Sequence, residues 1–503
     1  MEVLYSSLEL IARVDVILAL LFGALGGVVI GAIPGVGPAI AIAILLPATF
    51  AMEPIVGLTL LLGIYGSAMF GGAIPAILCN TPGTAVNALT TYDGYPMTRR
   101  GEASRALALA YGASFLGGVI SVLALILLSP VLAKVAPMFG SREIFLACVL
   151  GAVLVVITHR GQHMIAGFLL CLGIFLSTIG MEPILYTKRF TFGQSWLASG
   201  VDLIVVVLGL FALSQAFVLL VKGDLKVAEP KLQGGLFSGL KEVLKMPKVF
   251  IPSSAFGVFM GIIPGVGEFL AQFFSYNFAQ KISKHPEKFG RGSAEGLVAS
   301  ETANNAVPAA ALIPLLALGI PGEALTAMML TVFYVHNVIP GPQLFTHQFD
   351  FVLALYICLL LLNVLALLFL MFSSKWLLKV VLIPNRFLGM MILVLSFVGV
   401  YSLRNSFSDC VMAVVFGLFG FILKRLDLPI VPIILGMVLG GIMEIKLRTS
   451  LPRIDTLIDF VDRPVAAVLF ALIISSLVLH LLSMRGNKNA TAVNEMREAD
   501  AAK

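Results

Sequence analysis

Charge is what this sequence has least of. Asp, Glu, Lys and Arg together make up 12% of its 503 residues, against 59% hydrophobic, and the mean hydropathy is +1.02. A chain this long with so few charges lacks the polar surface of a soluble protein, so a multi-spanning membrane protein is expected. Cysteine is sparse too. Cys79, Cys148, Cys171, Cys358 and Cys410 stand singly inside apolar segments, which argues for buried small hydrophobes and against a disulfide frame or thiolate metal site. Alternating ten-residue strands, the mark of a membrane barrel, are missing. In their place stand apolar runs of helix length, such as 107–132, 201–221 and 352–372, so the expected class is all-α. The first residues set Glu2, Glu9 and Asp15 against Arg13 with no basic start. No cleavable signal is expected, and the chain is read as inserting through its own helices. The net charge of +6 would point to nucleic acid in a soluble protein; here the basic residues gather between apolar runs and act as topology signals instead.

What is abundant is the helix breaker placed at membrane depth. Ile-Pro-Gly-Val-Gly occurs at 33–37 and again at 263–267, both times in the middle of an apolar stretch. Opened backbone survives there only where protein or a water-filled cavity supplies partners. A second breaker follows each: Pro75 with Pro82 and Gly83, then Pro314 with Pro321 and Gly322, at identical internal spacing. The first breakers are shifted by 230 residues (33 to 263) and the second by 239 (75 to 314), the pattern of an internal duplication. The expected division is a first membrane repeat with scaffold helices at 16–222, a cytoplasmic linker at 223–248, a second repeat with scaffold helices at 249–483, and a disordered polar tail at 484–503. The stretch from Asn80 to Arg105 is read as a loop, and the helix before the second break of repeat two as 306–318.

Basic residues orient the two halves. Arg99, Arg100 and Arg105 follow the second breaker of repeat one, whereas the equivalent stretch around 336–350 has no Lys or Arg. Between the breakers the pattern reverses, with Lys281, Lys284, Lys288 and Arg291 in repeat two only. Corresponding loops thus fall on opposite sides, giving inverted-topology repeats with an external N-terminus and an internal C-terminus. Lys446, Arg448, Arg453 and Arg463 dissent from this count.

A discontinuous helix exposes unpaired N–H groups and a partial positive charge at its N-terminus, and can hold a carboxylate without a buried cation. No Lys or Arg lies within the apolar stretches around the four breakers, while small polar residues cluster there. The candidate substrate or ion site is therefore Pro34, Gly35, Gly37, Asn80, Thr81, Pro82, Gly83 and Thr84 with Pro264, Gly265, Gly267, Thr302, Asn304, Asn305, Gly319, Pro321 and Gly322. Asn87 and Thr90 stand close by. Carboxylates at depth are kept for ion or proton work, which adds Glu268, Glu301 and Glu323. A coupling cation, Na+ or H+, is the one cofactor expected, with a possible sodium site near Asn304 and Asn305. Close helix packing by the small residues is the alternative reading. His159 and His163 have helix spacing, but their loop setting is read as a topology marker and not as a metal site.

The motifs Gly31-Ala-Ile-Pro-Gly-Val-Gly-Pro38, Asn80-Thr-Pro-Gly-Thr84, Asp93-Gly-Tyr-Pro96, Arg99-Arg-Gly-Glu102, Phe289-Gly-Arg-Gly292, Glu301-Thr-Ala-Asn-Asn-Ala306, Leu318-Gly-Ile-Pro-Gly322 and Pro340-Gly-Pro342 resemble the large membrane subunit of the tripartite tricarboxylate transporters, over about residues 15–480. Thr302, where serine is frequent, and the stretch 307–310, otherwise richer in glycine, depart from that pattern. The resemblance implies a bacterial inner-membrane secondary transporter working with a small four-helix membrane subunit and a periplasmic solute-binding protein. It also implies cation-driven uptake of a di- or tricarboxylate. A stand-alone symporter or a channel is the alternative, and an integral-membrane enzyme would need paired acidic clusters or a nucleophile with a base.

Overall fold

The computed structural model describes residues 2–159, 161–182, 186–221, 238–381, 383–453 and 456–501. Hydrocarbon offers no water to peptide groups, so apolar runs fold as helices that close their own hydrogen bonds. In chain order these are α1 (Glu2–Ala12), the broken pair α2 (Val14–Ala32) and α3 (Gly37–Thr49), then α4 (Pro54–Cys79), α5 (Ala88–Arg99), α6 (Ala103–Val135), α7 (Ser141–Thr158) and α8 (His163–Ser177). A short antiparallel ribbon pairs β1 (Gly180–Met181) with β2 (Lys188–Arg189). After it α9 (Leu203–Val207) passes through a π-turn at Leu208–Leu213 into α10 (Ser214–Val221).

The chain resumes with α11 (Ser238–Leu244), bent by 89° from α12 (Pro247–Ile262). Next come α13 (Gly267–Ile282), α14 (Ala294–Leu318), α15 (Ala324–Val335), α16 (Pro342–His347) and α17 (Phe349–Val381). The series closes with α18 (Asn385–Arg404), α19 (Phe407–Arg425), α20 (Val431–Ser450) and α21 (Pro464–Ala501). Among the described residues nine helices are long and apolar enough to cross a membrane, or ten if α11 and α12 form one span. The protein is a polytopic helical bundle. Much of the linker expected at 223–248 lies outside the described residues, including Lys226 and Lys231. Its end forms α11, where Arg105 of α6 pairs with Glu242 at 2.5 Å. Burial raises the carboxyl of the neighbouring Glu102, but hydrogen bonds from Arg105 and Arg100 outweigh it and hold the group below its ordinary range.

Both breakers stop helices as the sequence requires. Pro34 and Pro264 lack an N–H to continue a helix, and the glycines that follow take positive φ: 78° and 62° at Gly35 and Gly37, 80° and 69° at Gly265 and Gly267. The second breaks end in left-handed residues, Asn80 and Gly319. The same shifts appear in the packing. A Cβ at Gly31 of α2 would lie 2.1 Å from the Ala68 carbonyl oxygen on α4, and one at Gly261 of α12 would lie 2.9 Å from that of Val307 on α14. One turn earlier Gly27 faces the Ile64 carbonyl and Gly257 that of Ala303. Small residues spaced by four let the two backbones touch, a membrane substitute for hydrophobic association.

The tail expected to be disordered at 484–503 continues α21 as far as Ala501, and two segments inside the bundle also differ from the sequence expectation. The stretch read as a loop after Asn80 contains the helix α5, and α14 begins at Ala294, well before residue 306. Both carry polar residues that hydropathy counts against a buried helix, yet Thr90 and Asp93 of α5 and Ser300, Glu301, Thr302 and Asn304 of α14 are 0% exposed, and Thr90, Asp93, Ser300 and Glu301 find hydrogen-bond partners inside the bundle. Asp93 shows the mechanism: it accepts the Tyr276 hydroxyl at 2.8 Å and the Gly292 and Ser293 amides at 2.8 and 2.7 Å, closing the start of α14. Arg100, just past α5, donates to the carbonyls of Arg291 and Gly292. The dissenting basic residues are partly ion-paired, Arg448 with Glu182 at 3.2 Å and Glu444 at 3.1 Å.

Candidate functional site

Each first breaker is tied to the second breaker of its own unit by one backbone hydrogen bond. The Gly35 amide donates to the Gly83 carbonyl at 3.0 Å, and the Gly265 amide to the Gly322 carbonyl at 2.7 Å. The second breaks close alike, Thr81 onto Pro75 and Ile320 onto Pro314, both at 3.3 Å. Opened backbone inside the bundle is thereby satisfied partly by the opposing break, which fixes the distance between them.

Both Ile-Pro-Gly-Val-Gly breaks, residues 82–84 of the first unit's second break and the start of α15 line one chamber of about 710 Å³. Its wall contains residues 35–40 with the first turn of α3, residues 265–270 with the first turn of α13, and Pro82, Gly83 and Thr84. Glu323, Ala324 and Leu325 at the start of α15 complete that side. Three helices therefore begin at the chamber, and the first turn of a helix carries amides without helical partners and a positive dipole end. Of the expected site residues, Gly35, Gly37, Pro82, Gly83, Thr84, Gly265, Gly267, Glu268 and Glu323 are brought together here. Pro34, Asn80, Thr81, Pro264, Gly319, Pro321 and Gly322 form the breaks behind the wall. Glu268 receives the Tyr65 hydroxyl at 3.4 Å, while Oε1 of Glu323 has no hydrogen-bond partner among the described residues.

Scaffold helices supply the rest, through residues that the sequence does not mark. Lys424, near the end of α19, reaches the chamber and donates to Oε1 of Gln215 at 2.8 Å and to the Phe211 carbonyl at 3.4 Å. Phe211 belongs to the π-turn, whose altered hydrogen bonding fits a functional bulge. Lys424 forms no ion pair among the described residues. Sequence reasoning excluded cations from the breakers, and nothing local to residue 424 marks it; α19 brings it in from another part of the chain. His159, read as a topology marker, also lines the chamber beside Thr158, whose hydroxyl is 3.3 Å from the Gly265 carbonyl.

The remaining expected residues form a separate polar centre. Glu301 is 0% exposed and accepts hydrogen bonds from the Thr90 hydroxyl, from Asn87 at 3.3 Å and from Ser114 at 3.0 Å. Asn305 donates to Ser114 at 2.8 Å. The side chains of Thr302 and Asn304 are buried without hydrogen-bond partners among the described residues. From Asn305 to Gly319 is about 20 Å of helix at 1.5 Å per residue, so this centre stands apart from the second break of α14.

The profile of the "Tripartite tricarboxylate transporter TctA family" matches residues 17–435. A relative from Agrobacterium vitis, "Uncharacterized 52.8 kDa protein in TAR-I ttuC' 3'region", is 35% identical over 480 residues, covering 94% of this chain and 95% of its own. A second from the same organism, "Uncharacterized protein in TAR-II ttuC' 3'region", is 35% identical over 246 residues, 48% of this chain and 100% of its own. No solved structure gives a significant match. Together these matches show that the chain belongs to the tripartite tricarboxylate transporter TctA family, as its large multi-pass membrane subunit.

Proposed function

We propose that this subunit imports a di- or tricarboxylate across a bacterial inner membrane by secondary transport, driven by a cation gradient and fed by a periplasmic solute-binding protein. The small four-helix membrane subunit is its second partner. The observation that carries the reading is the chamber walled by both Ile-Pro-Gly-Val-Gly breaks. Its volume, about 710 Å³, is in the range of small-ligand sites. The substrate carboxylates lie against the first turns of α3 and α13, with Lys424 as counter-charge on the scaffold side. Glu268 and Glu323, on the same wall, are places for a cation beside the anion.

The shifted packing of α2 on α4 and of α12 on α14 supports two repeats. We place them in opposite orientations within 16–222 and 249–483, joined by a cytoplasmic linker, with the N-terminus outside and the C-terminus inside. Such a pair has two near-equivalent packings, one open to each side, which is what alternating access needs.

Uptake tests this reading. Cells making the chain with its small subunit and binding protein, offered labelled citrate and a panel of unlabelled di- and tricarboxylates as competitors, are expected to accumulate a carboxylate above equilibrium. Accumulation should vanish without the binding protein or when the ion gradients are collapsed. Accumulation without the binding protein would mean a stand-alone symporter, and conductance without accumulation a channel.

A further inference from the structure

We infer that Glu301 is the residue that carries a coupling proton, and that Thr84 and Asn87 link its protonation to occupancy of the chamber. The inference rests on the transporter reading above and names where the driving ion sits.

Four neutral donors converge on this carboxylate from three other positions in the chain and its own helix: Asn87, Thr90 on α5, Ser114 on α6, and Asn305 at 3.5 Å. All five side chains are at most 4% exposed. No cation faces it. On the helices packed against α14, Arg99, Arg105, Lys134, Lys248 and Lys281 are exposed. The inward titratable groups there are committed elsewhere: Tyr111 to Ser374, Asp93 to Tyr276, and Glu268 to Tyr65. An ionised carboxylate sealed from water without a counter-charge is costly, and neutral donors reduce that cost without removing it. A proton removes it. The same centre therefore tolerates both states, as a group that loads and unloads in each cycle must.

The orientation of Asn87 favours a proton over a metal cation. Its oxygen accepts the Thr84 hydroxyl at 2.5 Å, so its amide nitrogen faces Glu301. Asn305 likewise turns nitrogen toward Ser114 and the carboxylate. A hard cation needs a cage of oxygens, and here two of the four neighbours present N–H groups. Thr84 also lines the chamber. An anion that takes the Thr84 hydroxyl hydrogen for itself breaks the bond holding Asn87, and occupancy of one site then alters the other. Asn87 and Thr90 belong to the first unit and Glu301 to the second. Movement of α5 and the turn before it against α14 takes Asn87 and Thr90 away and opens the carboxyl to water. The O–H bond formed with a proton from the outer side breaks there, delivering that proton to the cytoplasm.

Infrared difference spectra of the purified chain in detergent test the assignment without any substrate. A protonated carboxyl band is expected at neutral pH, unaffected by exchanging choline chloride for sodium chloride, and lost in Glu301→Gln. Should Glu301→Gln fail to fold, as judged by gel filtration, Glu301→Asp must shift the band. A band absent in the wild type, removed by sodium, or unchanged in these variants overturns the inference. In vesicles of the full complex with a carboxylate that the wild type carries, an inward gradient of one pH unit sustains about tenfold accumulation per coupled proton. Glu301→Gln should lose that accumulation while keeping substrate counterflow. A variant that still accumulates sinks the proton assignment alone, whereas a wild type without counterflow of any carboxylate sinks the transporter reading.

Discussion

Gly265→Val is expected to reduce carboxylate uptake to the level of cells lacking the protein, while the chain still inserts and purifies as a single species. Gly265 has φ of 80°, a conformation that costs a side-chain-bearing residue about 1–2 kcal/mol. A Cβ there would lie 2.2 Å from Cγ2 of Val155 and 3.1 Å from its amide nitrogen, and such overpacking adds about 1–3 kcal/mol. Relief comes by moving the 263–267 turn, which breaks the Gly265 bond to Gly322 and turns the first amides of α13 away from the chamber. A misplacement of about 1 Å at a binding site costs on the order of 100-fold in rate. Gly267 provides the comparison. Its φ is 69° but no atom of the described residues lies within 4 Å of a Cβ there, so Gly267→Ala should pay only the conformational cost and keep measurable uptake. Full uptake by Gly265→Val would remove this break from the site.

The second large effect is expected at Lys424. Exchanging it for methionine keeps the apolar stem and removes the charge, and a hydrogen bond to a charged group contributes about 1.5–3 kcal/mol. With a factor of ten for each 1.4 kcal/mol, KM for the carried carboxylate should rise about 10- to 100-fold with expression unchanged. Lys424→Arg should recover part of the affinity. If the lysine served only to hold the Phe211 carbonyl and Gln215, stability would fall and KM would stay. Concentration-dependent initial rates, with the detergent melting temperature as control, separate the two.

The class of this protein, its broken helices and the pairing of its breaks are legible because each rests on a local signal: long apolar runs, Pro and Gly at depth, and a spacing repeated along the chain. Gly35 and Gly265 could be matched from sequence alone, and in the structure they make the same hydrogen bond to Gly83 and Gly322. What was hidden depends on partners. Thr90 of α5 satisfies Glu301 of α14, and Asp93 of α5 takes the Gly292 and Ser293 amides just before α14 begins; neither side shows that in its own hydropathy. Nearness in sequence groups Asn304 and Asn305 with the breaks, but helical rise carries them away from Gly319. Lys424 and His159 reach the chamber only through the packing of α19 and α7.

The central claim is that both glycine breaks face one chamber holding one carboxylate anion. Single cysteines at Val36 and Val266, which both line the chamber, test it in a chain whose Cys79, Cys148, Cys171, Cys358 and Cys410 are replaced by serine or alanine. The measurement is the rate of labelling by a small charged thiol reagent, with and without a carboxylate that the wild type accumulates. The prediction is that both positions react and that the same carboxylate protects both, with half-protection at one shared concentration. Protection of one position without the other, or of neither, would contradict the account.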